Sequence, residues 1–185
     1  MIRSSGKVRK ASQKGLAKRF GHNRSGATAV EFALIAAPFF FLLFAMIEVA
    51  AVFLIGTVME NAVLEAARQI RTGQAQAGGM SAGGFRQEIC DRIVVIGSCD
   101  RVEIDVKVFE DFDNVDRSSP IQPDGTINTG DFGWDPGDAG DIVLVRVFYR
   151  WSLLVPSFSG GLSNMQNNER LITAATVFRN EPFDD

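Results

Sequence analysis

Apolar and polar positions alternate with three different rhythms along the chain, and each rhythm predicts a different element. From Phe32 to Met59 nearly every residue is apolar, FALIAAPFFFLLFAMIEVAAVFLIGTVM, with Glu48 as the only charge. A helix needs roughly 20 mostly apolar residues to cross a bilayer, so this run predicts a membrane-spanning helix despite Pro38 and Gly56. A soluble core helix of this length, apolar all round, would need more protein around it than the remaining chain supplies. From Thr57 to about Ala77 the spacing becomes that of an amphipathic helix. Met59, Ala62, Val63, Ala66, Ala67 and Ile70 form one stripe, and Arg68 and Arg71 suit the negative end of a helix dipole. The expected helix runs on from the membrane segment as one stalk of about 70 Å. Gly78-Gly79 and then Gly83-Gly84 are expected to break it.

Phe85 to about Val94 predicts a second, short helix with Phe85, Ile89, Cys90 and Ile93 on one face. The period then drops to two. Val102, Ile104, Val106 and Val108 alternate with Glu103, Asp105 and Lys107, as in a half-buried strand. Ile142 to Trp151 predicts a second strand and Leu171 to Phe178 a third, with Leu153 to Phe158 as a short extra piece interrupted by Pro156. A helix laid on a small antiparallel sheet is an α+β fold. Between the strands, 111–141 is rich in Asp, Gly and Pro, and Pro123-Asp124-Gly125 and Asp135-Pro136-Gly137 read as turns.

Charge assigns a direction to this layout. Residues 1–24 hold eight Lys or Arg and no acid, leaving eleven basic against 22 acidic residues in the rest of a chain whose net charge is −3. A basic block beside an apolar run stays on the cytoplasmic side, so residues beyond about 57 are expected across the membrane. Nucleic acid is not the expected partner, because the basic block lacks stacking aromatics apart from Phe20. A cleaved signal peptide ending near Val49-Ala50-Ala51 fits less well, since apolar character continues through Ile55. Cys90 and Cys99 are the only cysteines and both fall on the outer side. A disulfide is expected there, ahead of two buried thiols and of a metal pair. The sole histidine, His22, lies in the basic block, and no nucleophile–base pair or phosphate loop appears, so neither an enzyme nor a cofactor is expected. Asp111, Asp113 and Asp116 lack the remainder of a calcium-loop pattern, and a solvated loop is the simpler expectation.

Two glutamates remain. Glu31 and Glu48 stand 17 positions apart, about 25 Å of helix, which puts one near each boundary of a bilayer core. Glu48 is expected to be an interfacial residue that snorkels or pairs. Glu31 is more informative, because it follows Gly26-Ala27-Thr28-Ala29-Val30 and precedes Phe32. Cutting after Gly26 would give Ala27 a free amine, and a carboxylate in an apolar setting needs such a cation.

The basic leader, the G-A-T-A-V-E-F junction and the apolar helix resemble a TadE-like minor pilin, or pseudopilin, of the tight-adherence (Tad/Flp) pilus system. Thr176 to Phe183, TVFRNEPF, resembles that family's closing strand. The resemblance implies a prepilin peptidase site with Gly26 as the last leader residue, Ala27 as the mature start and Glu31 with Phe32 as assembly residues. Phe32 stands where major pilins usually have Tyr. It also implies a pilin-like head at 79–185 behind a leader at 1–26 and a transmembrane and stalk helix at 27–78. The implied partners are other pilin subunits, the prepilin peptidase and an inner-membrane assembly platform. The implied location is the inner membrane, N-terminus cytoplasmic, or the pilus itself. The competing expectation is an uncleaved single-pass protein whose outer domain is a binding module.

Overall fold

The computed structural model describes residues 26–93, 98–154 and 159–183. Residues 1–25 of the expected leader, Val94 and residues 155–158 of the expected extra piece lie outside them. The chain separates into two units, Met1–Leu43 and Phe44–Asp185. In the first unit the described residues form the opening part of helix α1 (Ala27–Arg71), which continues through the second. Pro38 lies inside this helix.

The second unit contains the rest of α1, a one-turn helix α2 (Gln74–Ala77), helix α3 (Ala82–Ile93), strands β1 (Val102–Phe109) and β2 (Ile142–Ser152), a short helix α4 (Ser159–Leu162) and strand β3 (Glu169–Arg179). The strands form one antiparallel sheet in the order β1-β2-β3. The architecture is α+β, a long N-terminal helix on a small antiparallel sheet. The stripe expected from spacing, Met59 to Ile70, is buried throughout, joined by Ile55 above it. It packs on Val102 and Val106 of β1, Val143, Val145, Val147 and Tyr149 of β2, and Ile172 and Ala174 of β3. Each large apolar side chain removed from water there stabilises the fold by about 1.5–3 kcal/mol.

The helix ends earlier than the Gly78-Gly79 break suggested. Gly73 adopts a left-handed conformation (φ 77°), and its N–H donates to the Ile70 carbonyl at 3.0 Å, a glycine C-terminal cap. Glycine is required there for a second reason. An added Cβ would lie 2.5 Å from the Phe183 ring, which covers this turn. The chain's C-terminal segment thus closes over the end of α1. The Glu181 N–H donates to the Arg71 carbonyl at 2.8 Å, and the Arg71 and Glu181 side chains pair at 3.3 Å. Asn180 is buried, with its side-chain amide donating to the Pro136 and Asp138 carbonyls.

Helix α3 buries Phe85, Ile89, Cys90 and Ile93, the face expected from its spacing. Cys90 forms a disulfide with Cys99, with Cα atoms 5.4 Å apart. Arg92 bridges Glu65 of α1 and Glu88 of α3 at 3.2 and 2.7 Å, and those hydrogen bonds, Glu65 first, raise its pKa further.

Residues 111–141 do more than link strands. Trp134 lies against the outer edge of β1, stacks beside Phe85 at 5.1 Å and donates its indole N–H to the Met80 carbonyl. The Val106 N–H donates to the Gly133 carbonyl at 2.9 Å and the Asp135 N–H to the Val106 carbonyl at 3.0 Å. On the sheet face turned away from α1, Phe132 stacks on Phe148 at 5.1 Å. Below it Asp105, fully buried, accepts from Arg146 Nε and Nη2 at 3.1 and 2.6 Å and from the Gly133 N–H at 2.9 Å. Arg146 Nη1 donates to the Ser118 carbonyl at 3.1 Å. Asp111, Asp113 and Asp116 are exposed, while the later part of the loop covers the sheet, and Asp105, a polar partner in the strand alternation, is a buried charge.

Candidate processing and assembly segment

Gly26 is the first described residue and is exposed; a Cβ placed on it would meet nothing within 4 Å. Helix α1 begins at the next residue, Ala27, and its first turn carries no acid. The first four N–H groups of a helix have no partner within it and carry its positive partial charge. Glu31 follows directly after that turn, and it lies one turn from Ala27, on the same face. Glu31 is exposed and Phe32 is 70% exposed. These four residues therefore lie close together at and just before the start of α1, with Ala27 and Glu31 sharing a face.

From Val30 to Leu54 large apolar side chains stand outward, among them Leu34, Ile35, Phe39, Met46 and Phe53. An 18-residue window of α1 reaches a mean hydropathy of 2.6, yet only 11% of it is buried inside the protein. A soluble core helix would be mostly covered. By length and composition α1 is fit to cross a membrane, and the stretch left uncovered ends where Ile55 and Met59 enter the core.

Glu48 interrupts this uncovered stretch. It is 1% exposed and paired inside the protein. Its Oε2 accepts from the Leu154 N–H at 2.7 Å and its Oε1 from the Trp151 indole N–H at 3.3 Å. The side chain points to the end of β2 within the second unit and ties α1 to the turn that leaves the sheet. Nothing in the run of apolar residues around Glu48 signalled that partner, since Trp151 and Leu154 stand over 100 positions later. Helical phase held the only clue. Glu48 precedes Ile55 by seven residues and therefore lies near the buried stripe.

Residues 26–68 match the family model described as TadE-like protein. The segment is TadE-like. The match begins at Gly26, the candidate cleavage residue, and takes in Glu31, the outward apolar stretch, Glu48 and most of the buried stripe. The TadE-like match stops before α3, the disulfide and the sheet, and so does not reach Thr176 to Phe183. No curated protein and no solved structure matches the chain. A TadE-like segment points to a function connected with a tight-adherence pilus, in which a chain works with other pilus components at a membrane.

Proposed function

We propose that the chain is a minor pilin, or pseudopilin, of a tight-adherence type pilus. It is inserted with the basic block cytoplasmic and the sheet-bearing head across the inner membrane. A prepilin peptidase then cuts after Gly26. The observation that carries this reading is the start of α1. An exposed glycine, a helix beginning at the next residue and an exposed Glu31 at the head of an uncovered apolar helix occur together within the TadE-like segment.

Cleavage gives Ala27 a free amine at the helix end. Glu31, placed among outward apolar side chains, needs a cation once the helix is surrounded by other helices. The Ala27 amine of a neighbouring subunit supplies it, so charge pairing sets the axial register of one apolar helix against the next. Phe32 adds an aromatic surface at the same level. Residues 1–26 are then leader, 27–78 the membrane and stalk portion, and 79–185 the head that meets other pilin subunits and the assembly platform. The role is structural, in keeping with the family.

N-terminal sequencing of the membrane-extracted protein from peptidase-positive and peptidase-negative cells tests the maturation. The expected mature start is Ala27 in the first and the intact leader in the second. A start elsewhere in peptidase-positive cells refutes the cut. Glu31→Ala is expected to abolish pilus assembly while leaving cleavage in place. Normal assembly by that variant would favour the uncleaved binding module instead.

A further inference from the structure

The two edges of the sheet differ. Gly133–Asp135 occupies the middle of the β1 edge through the Val106 hydrogen bonds. On β3 the residues whose backbone groups face outward are those in step with Leu171, whose N–H is taken by the Asn164 side chain at 2.8 Å, and Glu169, whose carbonyl accepts from Asn164 and Met165. Thr173, Ala175, Val177 and Arg179 share that phase. Among the described residues their outward N–H and C=O groups have no partner. Such a row of free groups is a template for another strand.

Beside this edge a cavity of about 370 Å³ opens on the sheet face away from α1. Leu144, Phe148, Thr173 and Ala175 form its floor, with Asp116–Pro120 and Arg146 on the far side. The guanidinium of Arg146 is spent on Asp105 and on loop carbonyls. At the mouth, exposed Arg117 has no acidic partner among the described residues, while the neighbouring Asp116 carboxylate accepts from the Ser118 N–H at 2.8 Å. The geometry points to an extended segment of a different polypeptide as the occupant. It adds antiparallel to Thr173–Arg179, drops an apolar side chain into the cavity and sets an acid against Arg117.

A second copy of the chain does not fit this role, an exclusion that rests on the membrane-anchored reading above. Within the second unit α1 runs alongside β3 in the same direction. Glu48 meets Trp151, which pairs with Arg170; Gly56 faces Ile172; Arg71 meets Glu181. An antiparallel β3–β3 pair would set the two α1 helices in opposite directions, which two copies anchored in one membrane cannot adopt.

Amide exchange of the full chain in lipid nanodiscs tests the inference. The probe is a synthetic nine-residue peptide of alternating valine and threonine with aspartate ends, compared with the same peptide carrying lysine ends. The aspartate peptide is expected to slow the Thr173, Ala175, Val177 and Arg179 amides, and to bind about tenfold more tightly than the lysine peptide. Ala175→Pro removes one outward donor and Ala175→Lys fills the cavity from its floor; each is expected to weaken binding about tenfold or more. Continued protection of Ile172, Ala174 and Thr176 verifies that a variant is folded, and Ala175→Lys serves if Ala175→Pro is not. No slowing with either peptide, equal binding by Ala175→Lys, or equal binding of the two peptides overturns the inference. So do outward amides already slow in the free chain, or slowed only as chain concentration rises.

Discussion

Exchanging Glu48 for glutamine alters one atom, and the geometry around it determines the outcome. The two carboxylate oxygens accept from two different donors, the Leu154 N–H at 2.7 Å and the Trp151 indole N–H at 3.3 Å. A glutamine presents one oxygen and one NH2, so whichever way it turns, one donor faces another donor. A donor left without an acceptor costs about 1–3 kcal/mol when buried, and both donors here are part-buried, which places Glu48→Gln near 1–2 kcal/mol. For a folded unit of this size about 3 °C of melting temperature corresponds to each kcal/mol, so the melt should fall by roughly 3–6 °C. Thermal unfolding in detergent, followed by tryptophan fluorescence, reads this directly. Glu31→Gln is the control, because Glu31 is exposed in the isolated chain and its replacement should stay within about 0.5 kcal/mol. Equal melting temperatures for the two variants would refute the assignment of Glu48 to the head.

Three further outcomes follow from the same geometry. Cys90→Ser with Cys99→Ser removes a short covalent loop and should cost about 2–4 kcal/mol, measured by denaturant unfolding beside the reduced wild type. Asp105→Ala strands the Arg146 guanidinium and should cost about 3–5 kcal/mol, whereas the double change Asp105→Leu with Arg146→Met should recover most of it. Gly73→Ala meets both a left-handed backbone and the Phe183 ring and should cost about 1–3 kcal/mol. In a Phe183→Ala background only the backbone part, about 1 kcal/mol, should remain, and a double-mutant cycle separates the two.

Elements with a clean period were legible from sequence. The stripe from Met59 to Ile70 and the alternation from Val102 to Val108 each named their buried face, because burial on one side imposes that rhythm. Gly73 was not legible as the helix end, since its need for glycine comes partly from Phe183, 110 positions away. Asp105 looked like an outward polar residue for a similar reason. A sheet face can be covered by a loop with no period of its own, and the apolar residues of that Asp- and Gly-rich stretch, Phe132 and Trp134 among them, are too scattered to name a buried face. At the candidate site, Gly26, Ala27, Glu31 and Phe32 fall within one short stretch, so sequence alone nominates them together. The partners of Glu48 were not legible because its donors come from the far end of β2.

The closure of the C-terminal segment over α1 also sets an order in time. The stripe on α1 is synthesised long before its partners: Glu48 must await Trp151, 103 positions later, and the turn at Gly73 is sealed only by Phe183. Until β1, β2 and β3 follow, the stripe lacks the sheet residues that cover it. Folding of this chain is thus completed late, and a chain truncated just before Asn180 would complete the sheet yet leave the Gly73 turn of its first helix unsealed.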